Sequence, residues 1–200
     1  MPLTRSHIRK TAEAYLARHP HERESLAGLL ALLDGTDDPA DRATLPGHVT
    51  CSAAVIDQER RVLHIGHKAT GLLLTPGGHV EGDRTLLAAA LREVCEETGL
   101  RPRDLCLTPQ FLGAPIDIDV HDIDANPAKG EGAHQHFDFR SPSTWCPRST
   151  PGSRYRTRKW LAPGGWSSLM SAPRPCAPSF WRPATKAAST GDRSPSTPPL

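Results

Sequence analysis

The spacing of apolar residues changes from strand-like to helix-like at Leu86, and this change constrains the fold more than any other feature of the sequence. Before it, residues 49–56 form a short apolar run that is typical of a strand buried on both faces. After it, apolar residues recur with helical spacing up to Gly99, which predicts a helix with a glycine stop. These apolar residues are Leu87, Ala90, Leu91 and Val94.

Shorter segments complete the predicted sheet. Residues 62–65 indicate the return strand of a hairpin, and residues 72–74 a third strand that ends in a Pro-Gly-Gly turn. Residues 105–112, 116–123 and 134–140 predict further strands, the last two because apolar and polar residues alternate. Asp83 or Thr85 is expected to cap the helix. One marked helix between groups of strands predicts an α/β (α+β) fold with a mixed sheet.

Residues 1–45 are predicted to form an N-terminal helical extension. Apolar residues Ile8, Tyr15 and Leu16 recur at helical spacing after candidate caps Thr4 and Ser6. A second stripe ends at Gly35 and is formed by Leu26, Leu29, Leu30 and Leu33. We expect the two helices to form a hairpin packed on the main domain, rather than a dedicated interaction helix.

The composition changes abruptly after Arg140. Residues 1–140 contain 15 Lys and Arg against 21 Asp and Glu, a net charge of −6, and all ten histidines. Residues 141–200 contain nine basic residues, one acid, all four tryptophans and eleven prolines. Such a tail would suit a nucleic-acid binder, yet its scarce aliphatic residues favour an irregular, disordered extension. The tail also begins abruptly within a predicted strand. The preferred interpretation is therefore that a frameshift in a GC-rich gene produced it.

Several classes of protein are excluded by simpler observations. No run approaches eighteen apolar residues, so we expect no membrane-spanning helix. The first twenty residues lack a secretory signal, which favours a cytoplasmic location. Five cysteines without a CxxC pair predict neither a disulfide framework nor a zinc knuckle.

Three carboxylates converge within one turn of the predicted helix. Glu93 and Glu97 are four residues apart and Glu96 lies between them, so their like charges repel. They also lie near the helix C-terminus, where the helix dipole disfavours anions. A hard divalent cation would offset both costs, whereas a solvated acidic face is the simpler alternative. The glycines before the helix favour a ligand site, because the backbone there can approach a ligand closely.

The segment 78–100 resembles the Nudix hydrolase signature, G-x5-E-x7-R-E-U-x-E-E-x-G-U, in which U is aliphatic. Arg84 occupies the place of the first glutamate, and neighbouring Glu81 and Asp83 are not in register. The other positions agree, and they are Gly78, Arg92, Glu93, Val94, Glu96, Glu97, Gly99 and Leu100. The resemblance implies a Nudix α/β/α sandwich over residues 46–140, C-terminally incomplete, that hydrolyses the diphosphate linkage of a nucleotide or nucleotide conjugate.

The resemblance also implies roles for individual residues, with Mg²⁺ or Mn²⁺ as cofactor. Glu96 and Glu97 would be the main metal ligands, and Glu93 a further ligand or the general base. The Gly77 carbonyl would assist, and Arg92 would orient the carboxylates. The implied substrate contacts are Gly78, His79, Arg84, His134 and His136. Because Arg84 could instead weaken a metal site, a catalytically impaired nucleotide-binding or regulatory protein is the alternative.

Further polar residues lie on the later strands. His134, His136 and Asp138 share one face of a strand, where the two histidines are capable of binding metal but favour contact with substrate. A distant carboxylate is expected to complete the metal cluster. The candidates are Asp117, Asp119, Asp122, Asp124 and Glu131. We expect a small-molecule partner, and neither a membrane nor a nucleic acid.

Overall fold

The computed structural model describes residues 2–66, 71–107, 112–145 and 158–161. The helices are α1 (Arg5–Leu16), α2 (Ala27–Asp34) and α3 (Leu86–Thr98), with 3₁₀ turns at Pro20–Glu22, Pro102–Asp104 and Pro127–Lys129. The strands are β1 (Gly47–Ile56), β2 (Val62–Gly66), β3 (Leu73–Leu74), β4 (Gly77–His79), β5 (Leu105–Cys106), β6 (Asp117–Ile123), β7 (His134–Trp145) and β8 (Arg158–Leu161). None of the described helices has the length and apolar character needed to cross a membrane.

All strands among the described residues belong to one mixed sheet, as the sequence predicts. The sheet runs in the order β3-β2-β1-β7-β5, with β4 paired to β1, β6 to β7 and β8 to β2. The pair β1–β7 is parallel from Gly47 opposite Gln135 to Ile56 opposite Thr144, and the other pairs are antiparallel. Strand β1 is therefore central and is buried on both faces along nearly its whole length.

The two faces of the sheet differ in chemistry. Alternate residues of β1 turn Val49, Cys51, Ala53 and Val55 to one face, which we call the apolar face. Phe137 and Phe139 of β7 and Ile118 of β6 extend this face, and buried side chains of all three helices join the same core. The opposite, polar face carries the buried residues His48, Thr50, Ser52 and Asp138.

Helices α1 and α2 form the predicted hairpin on the sheet. Ile8, Tyr15, Leu26 and Leu29 are fully buried in the common core. The Arg5 guanidinium donates to the backbone carbonyls of Leu32 and Leu33, at 2.8 and 3.2 Å, and also to that of Asp37. The bonds to Leu32 and Leu33 supply a donor to carbonyls in the last turn of α2, of which that of Leu32 also accepts from the Gly35 N–H at 3.2 Å. Arg5 therefore joins the start of α1 to the end of α2.

Both ends of α3 form as the sequence predicts. The Thr85 hydroxyl accepts a hydrogen bond from the Ala88 N–H at 3.1 Å, so Thr85 is the N-cap. Gly99 closes the helix in the left-handed conformation, with φ of 68°. Asp83, the other candidate cap, pairs with Arg92 instead.

Three predictions on the strands need correction. The Gly77-Gly78 segment is the short strand β4 rather than a turn, because it pairs with residues 50–52 of β1. Strand β5 covers only Leu105–Cys106 of the predicted 105–112, of which 108–111 lie outside the described residues. Strand β7 continues past Arg140 to Trp145, because residues 141–144 pair with residues 53–56 of β1.

The tail and the cysteines also depart from expectation. Residues 158–161, predicted to be irregular, form β8 against β2. The rest of the tail beyond Trp145, on which the frameshift hypothesis depends, lies outside the described residues. Cys51 and Cys95 are free, whereas Cys106 is disulfide-bonded, which was not predicted. Spacing along the chain does not reveal which cysteines a sheet brings close together.

We expect Phe139→Ala to lower the free energy of unfolding by about 3–5 kcal/mol, because a fully buried aromatic side chain would leave a cavity between helices and sheet. Chemical denaturation monitored by circular dichroism measures this change. The control is Leu112→Ala, which removes an exposed side chain and should change stability by less than about 0.5 kcal/mol. Equal effects of the two variants would contradict the assignment of the core.

Candidate active site

Helix α3 carries three carboxylates beside the edge strand β4. The amide of Gly77 donates to Glu97 Oε2 at 3.0 Å, which ties the carboxylate of Glu97 to the strand. Glu96 projects outward, with 58% of its side chain exposed, whereas only 13% of the Glu93 side chain is exposed. The structure thus brings together the α3 carboxylates and the Gly77-Gly78 segment that the sequence analysis predicted to share a site.

The close approach of β4 to Glu93 requires a glycine at position 78. A Cβ atom built on Gly78 would lie 2.5 Å from Glu93 Oε1, which is far inside van der Waals contact. Burial of Glu93 raises the pKa of its carboxyl group, and the neighbouring Arg92 opposes this shift. Any other residue at position 78 would push the Glu93 carboxylate away from the strand.

Arg92 links the carboxylates to the backbone of β4. Its guanidinium donates to Glu93 Oε1 at 2.9 Å and to Glu96 Oε2 at 3.1 Å. It also donates to the His79 carbonyl oxygen at 2.7 Å and, through Nε and Nη2, to Asp83 Oδ2 at 3.2 Å. One cation therefore offsets much of the repulsion among the acids around it. Its position agrees with the orienting role that the sequence resemblance implies.

Arg84 lies apart from this network. Its side chain is exposed, and no ion pair joins it to another residue in the described ranges. Of the two nearby acids, Asp83 is held by Arg92, while the backbone N–H of Glu81 donates to Asp83 at 3.3 Å. The place of the missing glutamate is therefore occupied by a cation that is accessible from solvent.

Five histidines form a group on the polar face of the sheet, which we call the histidine cluster. Its members are His48 of β1, His79 of β4, His121 of β6, and His134 and His136 of β7, with adjacent ring centroids 4.8–5.4 Å apart. Burial lowers the pKa of His48 below its usual value. It lowers the pKa of His79 to about 4 and the pKa of His136 to about 3. These three imidazoles are therefore uncharged at neutral pH.

The sequence analysis proposed His79, His134 and His136 as substrate contacts, which stays a prediction, and it did not select His48. The signal was present, because His48 alternates with Val49 and must face away from the apolar core. It was overlooked because residues 49–56 were interpreted as an apolar run, although Thr50 and Ser52 alternate with apolar residues as His48 does. His79 connects the two groups of residues, since its carbonyl oxygen binds Arg92 and its imidazole belongs to the histidine cluster.

Beside the histidines, Asp138 forms a buried polar network. Its carboxylate accepts hydrogen bonds from the hydroxyls of Thr50, at 3.2 Å, and Ser52. Arg140 lies 3.6 Å from the same carboxylate and pairs with Asp117 at 2.9 Å. Burial nevertheless raises the pKa of the Asp138 carboxyl group.

The other acids proposed for a distant ligand are held in separate contacts. His121 Nδ1 lies 3.3 Å from Asp119, and this hydrogen bond raises the pKa of His121. Asp122 accepts from the Gln135 amide at 3.0 Å, and Glu131 pairs with Arg42 at 3.2 Å. Asp124 is exposed. The assignment of a distant metal ligand among these residues stays a prediction.

Comparison with known proteins identifies similar chains. A family model described as NUDIX domain matches residues 46–165. A protein of Lactococcus lactis subsp. cremoris (strain MG1363), named "Probable DHNTP pyrophosphohydrolase", is 31% identical over 118 residues, which are 59% of this chain and 67% of that protein.

Similar solved structures include the E. coli dihydroneopterin triphosphate pyrophosphohydrolase, with a TM-score of 0.42 and 20% identity. That match covers 62% of this chain and 86% of the other. The C. elegans Ap4A hydrolase matches with a TM-score of 0.38 and 16% identity, and the match covers 56% of this chain and 77% of the other.

We expect Arg92→Ala to lower the free energy of unfolding by about 2–3 kcal/mol in metal-free buffer, because Asp83 and Glu93 would keep their partly buried charges without a partner. Denaturant unfolding measures the effect. The matched control is Arg84→Ala, which removes an exposed guanidinium from the neighbouring loop and should have almost no effect. A similar loss in both variants would contradict the structural role of Arg92.

Proposed function

The chain belongs to the Nudix family and is a Nudix pyrophosphohydrolase, and we propose that it uses Mg²⁺ or Mn²⁺ to cleave the diphosphate linkage of a nucleotide or nucleotide-like compound. One observation carries the proposal. Glu93, Glu96 and Glu97 lie on one turn of α3 beside β4, where Gly78 makes room for the Glu93 carboxylate and the Gly77 amide binds Glu97. This acidic group fits the role of a hard-cation site within a family of hydrolases.

The donor set fits a hard divalent cation. Carboxylate oxygens of the three glutamates, together with the Gly77 carbonyl, would hold Mg²⁺ or Mn²⁺, which prefer oxygen ligands. Arg92 neutralises only part of the acidic charge, because one guanidinium pairs with the three carboxylates of Asp83, Glu93 and Glu96. The bound cation would supply charge neutralisation for the diphosphate and a more acidic water molecule.

The residues of the chain then have distinct tasks in hydrolysis. The water oxygen forms a bond to one phosphorus, and the bond from that phosphorus to the bridging oxygen breaks. The bridging oxygen leaves with the other phosphoryl group, and Glu93 accepts the proton released by the water. Arg92 keeps Glu93 and Glu96 in place during this step, and it is a positioning residue because its contacts are with the acids and the His79 carbonyl.

We propose a nucleotide-like triphosphate as the first substrate to test. The relative that is 31% identical is named "Probable DHNTP pyrophosphohydrolase", which supports dihydroneopterin triphosphate as the leading compound. Gly78 lies against Glu93 of the acidic group, and Arg84, which follows Asp83 in the chain, is exposed and has its charge available for a phosphate. Nucleoside triphosphates and nucleoside diphosphate conjugates complete the panel.

We expect Glu97→Gln to lower kcat by roughly 100-fold or more, because a ligand to the cation supplies several kcal/mol of transition-state stabilisation. Release of pyrophosphate or monophosphate from the panel, with Mg²⁺ present, measures the rate. The matched control is Glu24→Gln, which makes the same charge change at an exposed position and should retain full activity.

The same assay distinguishes the alternative function. A wild-type protein that binds a panel compound tightly but releases no product would be a nucleotide-binding or regulatory protein rather than a hydrolase. Full activity in the presence of a chelator would contradict the dependence on a divalent cation.

We expect Arg84→Ala to raise KM about tenfold or more while kcat changes little, because a charge-assisted hydrogen bond to a substrate phosphate contributes about 1.5–3 kcal/mol. Steady-state kinetics on the best substrate separate the two parameters. Arg103→Ala, at another exposed arginine, is the control. If Arg84→Ala instead lowers the Mg²⁺ concentration needed for activity with KM unchanged, then Arg84 opposes metal binding rather than binding phosphate.

A further inference from the structure

We propose that His48, His134 and His136 form a second metal site, made of imidazoles alone, that binds a borderline divalent transition ion such as Zn²⁺. This site goes beyond the proposed function, because the proposed hydrolysis assigns its cation to the carboxylates of α3 and the Gly77 carbonyl rather than to these imidazoles. It lies on the polar face of the sheet. Glu93, by contrast, packs against Gly78, which is paired with Cys51 and therefore lies on the apolar face.

The parallel pairing of β1 with β7 creates the site. His48 of β1 is directly opposite His136 of β7, and His136 is opposite His121 of β6. His134 is two residues before His136 and therefore shares its face. His48 precedes His134 by 86 positions and His136 by 88. Only the parallel pairing of β1 with β7 therefore brings His48 to the other two histidines.

The distances suit one ion. One ligating nitrogen from each of His48, His134 and His136 lies within 4.8 Å of the other two. The Nε2 atoms of His134 and His136 are 3.3 Å apart. Nitrogen atoms about 2.0–2.1 Å from a tetrahedral Zn²⁺ would be about 3.4 Å from one another, so small rotations of the rings would complete the geometry. His79 lies beside the site, with its Nε2 atom 3.1 Å from that of His48.

Backbone carbonyls fix which nitrogen of two rings is free to bind. His48 Nδ1 lies 3.3 Å from the Thr44 carbonyl oxygen, and His134 Nδ1 lies 2.8 Å from that of Gly132. A carbonyl can only accept, so each Nδ1 carries the proton and each Nε2 presents a lone pair in the neutral ring. These two Nε2 atoms point at His79 and His136. Metal-binding histidines in proteins are held in this way by their other nitrogen.

The ligand type separates the two sites. An all-nitrogen site favours zinc, copper or nickel, whereas the oxygen donors of Glu93, Glu96 and Glu97 favour magnesium or manganese. Within the histidine cluster, His48 is only 1% exposed and His134 and His136 are half-buried, whereas His121 is exposed. A zinc ion there would link His48 of β1 to His134 and His136 of β7 and so stabilise the pairing of these two strands.

The test is zinc binding by the full chain, after treatment with chelator and in buffer with excess Mg²⁺ to saturate the acidic site. Calorimetric titration with Zn²⁺ should show one ion per chain, and Co²⁺ should give the visible absorption of a tetrahedral nitrogen site. We expect His134→Ala and His136→Gln each to weaken zinc binding about tenfold or more.

Two control variants make the result specific. His21→Ala removes an exposed histidine from the other group of close ligand atoms, formed with His19 and Glu22, and should bind zinc as the wild type does. Glu97→Gln should also keep zinc affinity, even if hydrolysis is lost, so failure of this proposal is distinct from failure of the hydrolase assignment. Circular dichroism of the metal-free variants shows whether each one folds.

Three outcomes would overturn the zinc site. The first is no stoichiometric binding by the wild type, and the second is unchanged affinity in both folded histidine variants. The third is loss of zinc affinity in Glu97→Gln, which would place the ion among the carboxylates. If His134→Ala and His136→Gln raise KM for the substrate while the wild type binds no zinc, these histidines contact substrate instead.

Discussion

The parallel pairing of β1 with β7 is the constraint on which the rest of the structure depends. Two parallel strands cannot be joined by a tight turn, so the chain between them must cross over and return. In this protein that crossover carries α3 and the strands β2 to β6. The pairing buries β1 on both faces, and it aligns His48 with His136 and Thr50 with Asp138. The apolar core and the polar face are therefore two consequences of one set of backbone hydrogen bonds.

The second constraint is the contact between α3 and the edge strand β4. Like charges on one turn of a helix repel, and the repulsion is tolerated here because Arg92 donates to two of the glutamates and to the backbone of β4. Gly78 lets Glu93 lie against the strand without a Cβ between them. The acidic group is thus held from one side by a cation and from the other by the backbone, which leaves Glu96 directed toward solvent.

Periodicity and local chemistry predicted those parts of the fold that neighbours along the chain decide. The limits of α3, its Thr85 cap and its Gly99 stop follow from residues within one turn of each other. The approximate positions of β1, β2 and β6 follow from alternation or from short apolar runs. The predictions that were wrong concern pairing over long distances. Gly77-Gly78 has the composition of a turn and is a strand because β1 offers it partners, and β7 passes Arg140 for the same reason.

The sequence by itself determined the family, the mixed α/β class and the acidic turn of α3, because fixed gaps within one helix place Glu93, Glu96 and Glu97 together whatever surrounds them. Only the tertiary structure decided what those carboxylates face and what lies on the other side of the sheet. It brought Gly77 and Gly78 against α3, and it assembled the histidine cluster from four strands, including His48, whose local alternation indicates its face of the strand but not its neighbours. The physical reason is that register between distant strands is set by backbone pairing and by burial of the apolar face, and neither leaves a mark in the neighbouring sequence.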